Sequence, residues 1–220
     1  MTFKEQNYVI LKNAIDKKLA EFLYNYFLIK EQVSKTLLTS KYISKFSMEW
    51  GTWSDAQCPG TYSHYADVSM ETLLLMLKPK MEEATGLRLT ENYSYARLYR
   101  KGNELKRHKD RFSCEISTTL NLGGDEWPIY IEAHKNVGSP DDGFASITNN
   151  EGTKVILNPG DMLIYKGNIC EHWREPFEGN DCVQVFLHYN NVETEGSSSN
   201  LYDGRPHIGL PSFFKGKKID

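Results

Sequence analysis

The pattern of apolar positions changes near residue 87, from a helical period to a period of two. Before this point, apolar residues recur at helical spacing in two stretches, which predicts two amphipathic helices. The first helix follows Asp16, a good N-cap residue, and the second begins at Ser69 and stops at Gly86. A short apolar run at residues 8–11 predicts a strand ahead of the first helix.

Beyond residue 87, short alternating segments are separated by turns rich in glycine, asparagine and proline. The candidate strands are 92–99, 114–122, 128–134, 144–148, 153–157, 162–166, 171–175 and 182–189. Helical segments of about 10–15 residues do not separate them, so β–α–β units are not expected. We therefore predict a mainly β protein, an antiparallel sandwich or barrel with the N-terminal helices packed outside.

Length and composition suit one domain spanning residues 1–220, because 40% of the residues are apolar. Within it we expect helical N-terminal support at 1–86, a β core at 87–190 and a C-terminal tail at 191–220. Residues 40–68 are aromatic and rich in turns, and are predicted to form an ordered loop.

Charge and cysteine content limit the partners and the cellular compartment that we expect. The net charge of −3 provides no overall basic field for nucleic acid or an anionic membrane. Four cysteines without a CxxC pair are typical of free thiols in a reducing compartment. The N-terminus lacks the pattern of a signal peptide, and no apolar run is long enough to span a bilayer, so a soluble cytoplasmic protein is expected.

The first candidate for chemistry is His108-Lys109-Asp110. On an extended segment, residues i and i+2 point to the same face, so this imidazole and carboxylate converge. His172, inside a predicted strand, is the best third ligand. Two imidazoles and one carboxylate can occupy one face of an octahedral iron and leave three positions open. Alone the motif is weak, and a surface histidine with a hydrogen-bonded core histidine is the alternative.

The sequence around these residues adds context. Upstream stands Tyr99-Arg-Lys-Gly102, and downstream stand Asn158-Pro159-Gly160-Asp161, His172, Pro176 and Gly179. In order and spacing they resemble the prolyl 4-hydroxylase type of iron(II)- and 2-oxoglutarate-dependent dioxygenase. The resemblance covers about residues 87–190 and, more loosely, the N-terminal helices.

The resemblance implies a double-stranded β-helix, a jelly-roll or cupin-like barrel, with His108, Asp110 and His172 holding the metal. It implies Fe(II), 2-oxoglutarate and O₂ as cofactors, with ascorbate a possible addition. The implied reaction couples oxidative decarboxylation of 2-oxoglutarate to hydroxylation of a C–H bond. A peptidyl proline is the substrate of the family, and a free amino acid or small metabolite is the alternative. An open groove beside the iron would indicate a peptide, and a closed pocket a small molecule.

One part of the family pattern is missing. The family places a cation for the distal carboxylate of 2-oxoglutarate shortly after the distal histidine, where this chain has Asp181 and Cys182. Arg174 is the predicted substitute, because it lies two residues after His172 and its guanidinium can bind a carboxylate with two hydrogen bonds. A structural salt bridge from Arg174, for instance to Glu175 or Asp181, is the alternative.

Three further residues are candidates for the cosubstrate pocket. Arg97 is the second candidate for the distal carboxylate and could equally bind substrate. Tyr99 matches the family tyrosine that helps to hold 2-oxoglutarate. Thr119 stands where the family often has another tyrosine, and its side chain is shorter than that of tyrosine.

Two other classes of protein remain open at this point. The missing cation would suit a non-catalytic, cupin-like module that binds metal without turnover. A β-sandwich adhesin or virion structural protein with chance histidines would have no metal site. The sequence predicts a peptide or small molecule as partner and does not specify an oligomeric state.

Overall fold

The protein, described by a computed structural model over residues 2–133 and 151–218, consists of two antiparallel sheets with helices. Its α-helices in this part are α1 (Phe3–Gln6), α2 (Lys17–Thr39) and α3 (Val68–Thr85). Short 3-10 helices lie at Phe112–Cys114, Ser197–Gly204 and Ser212–Phe214. None of the helices described is long and apolar enough to cross a membrane.

Ten strands are formed by the described residues. They are β1 (Tyr8–Leu11), β2 (Tyr62–Tyr65), β3 (Leu89–Arg100), β4 (Leu105–His108), β5 (Ile116–Gly124), β6 (Ile129–Glu132), β7 (Thr153–Val155), β8 (Met162–Lys166), β9 (Glu171–Arg174) and β10 (Asp181–Asn191). The larger sheet has the order β1-β8-β5-β10-β3-β2, and the smaller one has the order β4-β9-β6-β7. The prediction of a mainly β protein with antiparallel strands is confirmed.

The first helix begins after Asp16 and the second ends at Gly86, as the capping residues predict, whereas the second begins at Val68 after Asp67, one residue before the predicted Ser69. The Asp16 carboxylate accepts a hydrogen bond from the backbone of Leu19 at 2.9 Å, which starts α2. Asp67 caps α3 in the same way, and Gly86 ends it with a left-handed φ of 67°. Side chains from both helices enter one apolar core with the larger sheet: Leu23, Phe27, Leu74, Met81, Leu120 and Val185. The helices therefore cover a face of that sheet.

The N-terminal region is not only helical support. β1 pairs with β8, from Tyr8 opposite Tyr165 to Leu11 opposite Met162, and forms an edge of the larger sheet. β2 pairs with β3 at the other edge. The prediction of loop throughout 40–68 is therefore wrong at residues 62–65, whose four residues carry no apolar alternation.

The remaining strand predictions agree with the structure within a few residues. The sequence missed β4, which has only four residues. The predicted strand at 144–148 lies outside the described residues. A second apolar cluster joins Ile129, Ile131 and Val155 of the smaller sheet to Leu163 and Tyr165 of the larger one. The two sheets thus pack on each other, and β4 and β9 lie together at one edge of the smaller sheet.

Candidate metal centre

The pairing of β4 with β9 brings the two predicted histidines together. His108 ends β4 and lies opposite His172 of β9, and their ring centroids are 4.2 Å apart. Asp110 follows two residues later, where its backbone N–H donates to the Gly167 carbonyl at 2.8 Å. Asp110 Oδ1 lies 3.6 Å from Nε2 of each histidine. The three ligand atoms are all within 4.8 Å of one another, which is close enough to bind one metal ion.

Backbone carbonyls hold both histidine rings in the orientation that a metal requires. Nδ1 of His108 donates to the Lys106 carbonyl at 2.7 Å, and Nδ1 of His172 donates to the Cys170 carbonyl at 3.1 Å. The hydrogen must be on Nδ1 because a carbonyl only accepts. Nε2 of each neutral ring therefore keeps its lone pair toward Asp110. Burial and the neighbouring His172 lower the pKa of His108, which favours this neutral form.

Asp110 is held on its other side by Ser117, whose hydroxyl donates to Oδ2 at 2.9 Å. The same hydroxyl lies 2.9 Å from Nδ1 of His188, so it accepts there when it donates to Asp110. Gly167 leaves the space for this carboxylate, since a Cβ at that position would lie 2.4 Å from Asp110 Oδ2. Burial alone would raise the pKa of Asp110, but His172 and His108 hold it well below its usual value.

Arg174 is buried without an acidic partner among the described residues. Its Nη1 donates to the Trp127 carbonyl and its Nη2 to Thr119 Oγ1 at 3.3 Å, while Nε has no acceptor. Burial lowers the pKa of Arg174, because no carboxylate offsets the loss of solvent. Arg174 interacts electrostatically with Cys182, one of the two positions at which the family cation was expected. Its guanidinium is thus placed near the position of that cation.

Neither acid proposed for a structural salt bridge with Arg174 forms one. Asp181 pairs instead with Arg100, at 3.3 Å. Glu175 accepts from the indole of Trp173 at 3.1 Å. Arg174 therefore forms no structural salt bridge with either Asp181 or Glu175.

Arg97 is also buried, but it differs from Arg174 in having an ion-pair partner. Nη2 of Arg97 contacts Asp55 and donates to Gln57 Oε1 at 2.9 Å, and Nη1 donates to the Tyr99 hydroxyl at 2.8 Å. Burial would lower the pKa of Arg97, whereas Tyr99 and Asp55 hold it above its usual value. The ring of Tyr99 also packs on Trp127, with centroids 4.7 Å apart. Tyr99 therefore contacts Arg97 through its hydroxyl and packs on Trp127, the residue whose carbonyl accepts from Arg174.

A cavity of about 400 Å³ adjoins the three candidate ligands. Its lining includes Arg97, Tyr165 and Phe186 from the sheets, and Asp55 and Gln57 from the loop before β2. Arg174, Tyr99 and Thr119 are not among the residues that line this cavity.

The comparisons with known proteins find relatives only by structure. No family model and no curated protein matches the chain. A prolyl-4-hydroxylase from Pseudomonas putida aligns with 86% of this chain and 95% of its own, at 12% identity and a TM-score of 0.57. The α-ketoglutarate-dependent epimerase SnoN from nogalamycin biosynthesis aligns with 99% of this chain and 92% of its own, at 13% identity and a TM-score of 0.62.

A third similar structure is HygX from Streptomyces hygroscopicus with nickel, 2-oxoglutarate and hygromycin B bound. It aligns with 87% of this chain and 85% of its own, at 12% identity and a TM-score of 0.57. The chain has the fold of iron- and 2-oxoglutarate-dependent oxygenases. The resemblance inferred from the sequence is confirmed at the level of fold.

On this oxygenase fold, the structure adds residues that the sequence did not single out. Gln57 lies with its Nε2 2.8 Å from Nε2 of His108. Tyr165 packs against His172 with ring centroids 4.6 Å apart. His188 and Cys114 lie with Asp110 in a second group of possible ligands.

Only some of these residues carried a sequence signal. Tyr165 and His188 lie inside predicted strands, where every second side chain shares one face, so their position along the strand could have indicated them. Asp55 and Gln57 lie in a loop, and no periodicity determines where a loop folds.

Proposed function

We propose that the chain is an iron(II)- and 2-oxoglutarate-dependent dioxygenase that hydroxylates a C–H bond, with its two sheets forming a double-stranded β-helix. The convergence of His108, Asp110 and His172 within 4.8 Å carries this proposal. Both histidines present Nε2 inward, and the carboxylate is deprotonated, so the donor set suits a divalent transition metal. Arg174 supports a keto-acid cosubstrate, because a buried guanidinium without an acid partner favours a bound carboxylate.

The three candidate ligands would have one common role in this reaction, which is to hold the metal. The two imidazoles and Asp110 would hold Fe(II) on one side and leave the other side for 2-oxoglutarate and O₂. Bound iron supplies the activation of O₂. In the proposed reaction one oxygen atom of O₂ would enter the carboxylate of succinate as CO₂ leaves, and the other would enter the C–H bond of the substrate.

The described residues would orient the cosubstrate. Arg174 would bind its distal carboxylate, with Thr119 fixing the guanidinium at 3.3 Å. Tyr99 would lie at the side of this pocket, next to Trp127. The keto-acid end would then lie at the metal, next to Tyr165, whose hydroxyl stays protonated because burial raises its pKa well above the usual value.

The substrate is either a peptidyl proline or a small molecule. Likeness to a prolyl-4-hydroxylase supports the first, and likeness to HygX with hygromycin B bound supports the second. The cavity favours the second, because the loop carrying Asp55 and Gln57 is tied to Arg97 and His108 beside the metal site. A peptide would have to displace or bypass this loop.

The deciding experiment measures metal content and succinate release from 2-oxoglutarate in the purified protein. The wild type should bind one Fe(II) per chain and release succinate, and His108→Ala should abolish both. His207→Ala is the matched control, because His207 is exposed and bonds only the nearby Ile208 carbonyl at 2.8 Å. Metal binding without succinate under any substrate would favour the cupin-like binding module, and no metal binding would refute both.

A further inference from the structure

The Arg97 guanidinium has an unused hydrogen-bond donor that lies deep in the protein. Arg97 is only 3% exposed and lines the cavity beside the candidate metal ligands. Its Nε–H has no acceptor in the described part of the chain. An unmade hydrogen bond from a buried charged group is costly, so such a group in a cavity wall indicates a missing ligand.

The geometry of the guanidinium defines the shape of that ligand. Nε and Nη2 share one edge of the group, and a carboxylate binds this edge with both oxygens. Nη2 already donates to Asp55 and to the amide oxygen of Gln57 at 2.9 Å, whereas Nε has no acceptor among the described residues. The Gln57 oxygen therefore occupies half of a site that a carboxylate would fill completely.

Gln57 connects this edge to the metal ligands. Its amide nitrogen donates to Nε2 of His108 at 2.8 Å, on the lone pair that a metal would use. A metal ion on His108 must displace this amide, and the displacement also releases the Nη2 hydrogen of Arg97 that Gln57 accepts, while Nη2 stays paired with Asp55. One amide group, about 2.3 Å from oxygen to nitrogen, separates the two contacts, so Arg97 Nη2 lies within about 8 Å of the metal-binding nitrogen.

The charges around the cavity favour an anion. Arg97, Lys109 and Arg111 contribute three cations to the lining, and Asp55 and Asp110 contribute two anions, while Arg111 also pairs with Asp203 outside the lining at 3.2 Å. Asp110 would be neutralised further by the metal. The Asp55 carboxylate pairs with Arg97 and accepts hydrogen bonds from the Tyr95 hydroxyl at 2.6 Å and from the backbone N–H of Gln57 at 2.8 Å. These contacts hold the loop that carries Asp55 in place.

From these observations we propose that the substrate is a small carboxylic acid, whose carboxylate binds the Nε–Nη2 edge of Arg97 after Gln57 has swung away. The assignment rests on the proposed function and deepens it by naming the substrate class. It gives the two arginines different ligands, because Arg174 binds the carboxylate of the cosubstrate and Arg97 that of the substrate. A carbon a few bonds from the substrate carboxylate would then face the metal. Internal peptidyl prolines carry no carboxylate for this site.

The test uses full-length protein loaded with Zn(II) and 2-oxoglutarate, which permits binding without turnover. Free amino acids and other small carboxylic acids are each compared with their amides and methyl esters by calorimetry. At least one acid should bind, and its amide should bind about 10- to 100-fold more weakly. The same acid should stimulate succinate release by the Fe(II) protein.

Variants then assign the carboxylate to Arg97. Arg97→Lys keeps the charge beside Asp55 but lacks the two-nitrogen edge, and should weaken the acid about 10- to 100-fold without changing the affinity for 2-oxoglutarate. Arg100→Lys, on the same strand and outside the cavity, is the matched control and should change neither. Gln57→Ala should strengthen acid binding to the metal-free protein and leave it less dependent on metal.

Three results would overturn the assignment. The first is equal binding of acids and their amides, and the second is an Arg97→Lys effect on 2-oxoglutarate alone. The third is a wild type that binds metal and 2-oxoglutarate, responds to proline peptides and binds none of the acids; the proposed function would then survive. A wild type that binds neither metal nor 2-oxoglutarate would instead refute the proposed function itself.

Discussion

Arg174 gives the sharpest prediction, because its effects on stability and on ligand binding should have opposite signs. Arg174→Met replaces a buried, acid-free guanidinium by an apolar chain of similar length. The change relieves a desolvation penalty of several kcal/mol but leaves the Trp127 carbonyl without its donor, at about 1–3 kcal/mol. We expect the ligand-free variant to be as stable as the wild type or up to about 2 kcal/mol more stable, by denaturant unfolding.

The binding of 2-oxoglutarate should respond in the opposite direction. Two charge-assisted hydrogen bonds to a carboxylate are together worth about 3 kcal/mol or more, so Kd should rise at least about 100-fold. At a concentration of 100 times the wild-type Kd, 2-oxoglutarate adds about 2.7 kcal/mol to wild-type stability. The same concentration should add about 0.4 kcal/mol or less to the variant.

The assay is thermal unfolding of the Zn(II) protein with and without 2-oxoglutarate, where about 1 kcal/mol corresponds to about 2–4 °C for a domain of this size. Arg205→Met is the contrasting control, because Arg205 is paired with the buried Glu71 at 2.8 Å. That variant should lose about 3–5 kcal/mol and keep its response to 2-oxoglutarate. Full protection of Arg174→Met by 2-oxoglutarate would refute the assignment and favour Arg97 as the anchor.

Three further predictions concern the surroundings of the metal ligands. Gly167→Ala should weaken metal binding at least about tenfold by titration, because the added Cβ meets the Asp110 carboxylate at 2.4 Å. Ser117→Ala should weaken it about 10- to 100-fold, whereas Ser34→Ala, which removes a buried hydroxyl on α2 outside the cavity lining, should not. Burial lowers the pKa of His188 to about 4, so the unfolded chain takes up this proton first as pH falls. Neutral His188 therefore contributes about 3 kcal/mol to the free energy of unfolding above pH ~6.5, and this contribution is lost between pH ~6.5 and ~4. In His188→Asn, the free energy of unfolding should change less with pH over that range.

The sequence predicted the regular elements because their signals are local. Asp16 and Gly86 predicted helix ends through capping, and short apolar strands such as 162–166 coincide with the structure. His108, Asp110 and His172 were found because an extended H-x-D needs only one further strand to complete it. β2 and β4 were missed because segments of four residues, mostly polar or aromatic, carry too little periodicity to be distinguished from loop.

The sequence could not predict contacts between residues that are far apart along the chain. Arg174 was chosen by its face on a strand, but its lack of an acid partner depends on where Asp181 and Glu175 turn. Gln57 lies 51 residues from His108 in sequence, so only the path of a loop brings the two side chains together. The ion pair between Asp55 and Arg97 is hidden for the same reason.

The pairing of β1 with β8 has a consequence for how the chain is made. The strand that contains Leu11 can pair in the larger sheet only after Met162 has left the ribosome. The His172 side of the metal site is synthesised later still. Pairings over such sequence separations slow folding and leave apolar strands uncovered on the nascent polypeptide. Production in a host with ample chaperone capacity at low temperature should therefore raise the yield of soluble protein more than strengthening transcription does.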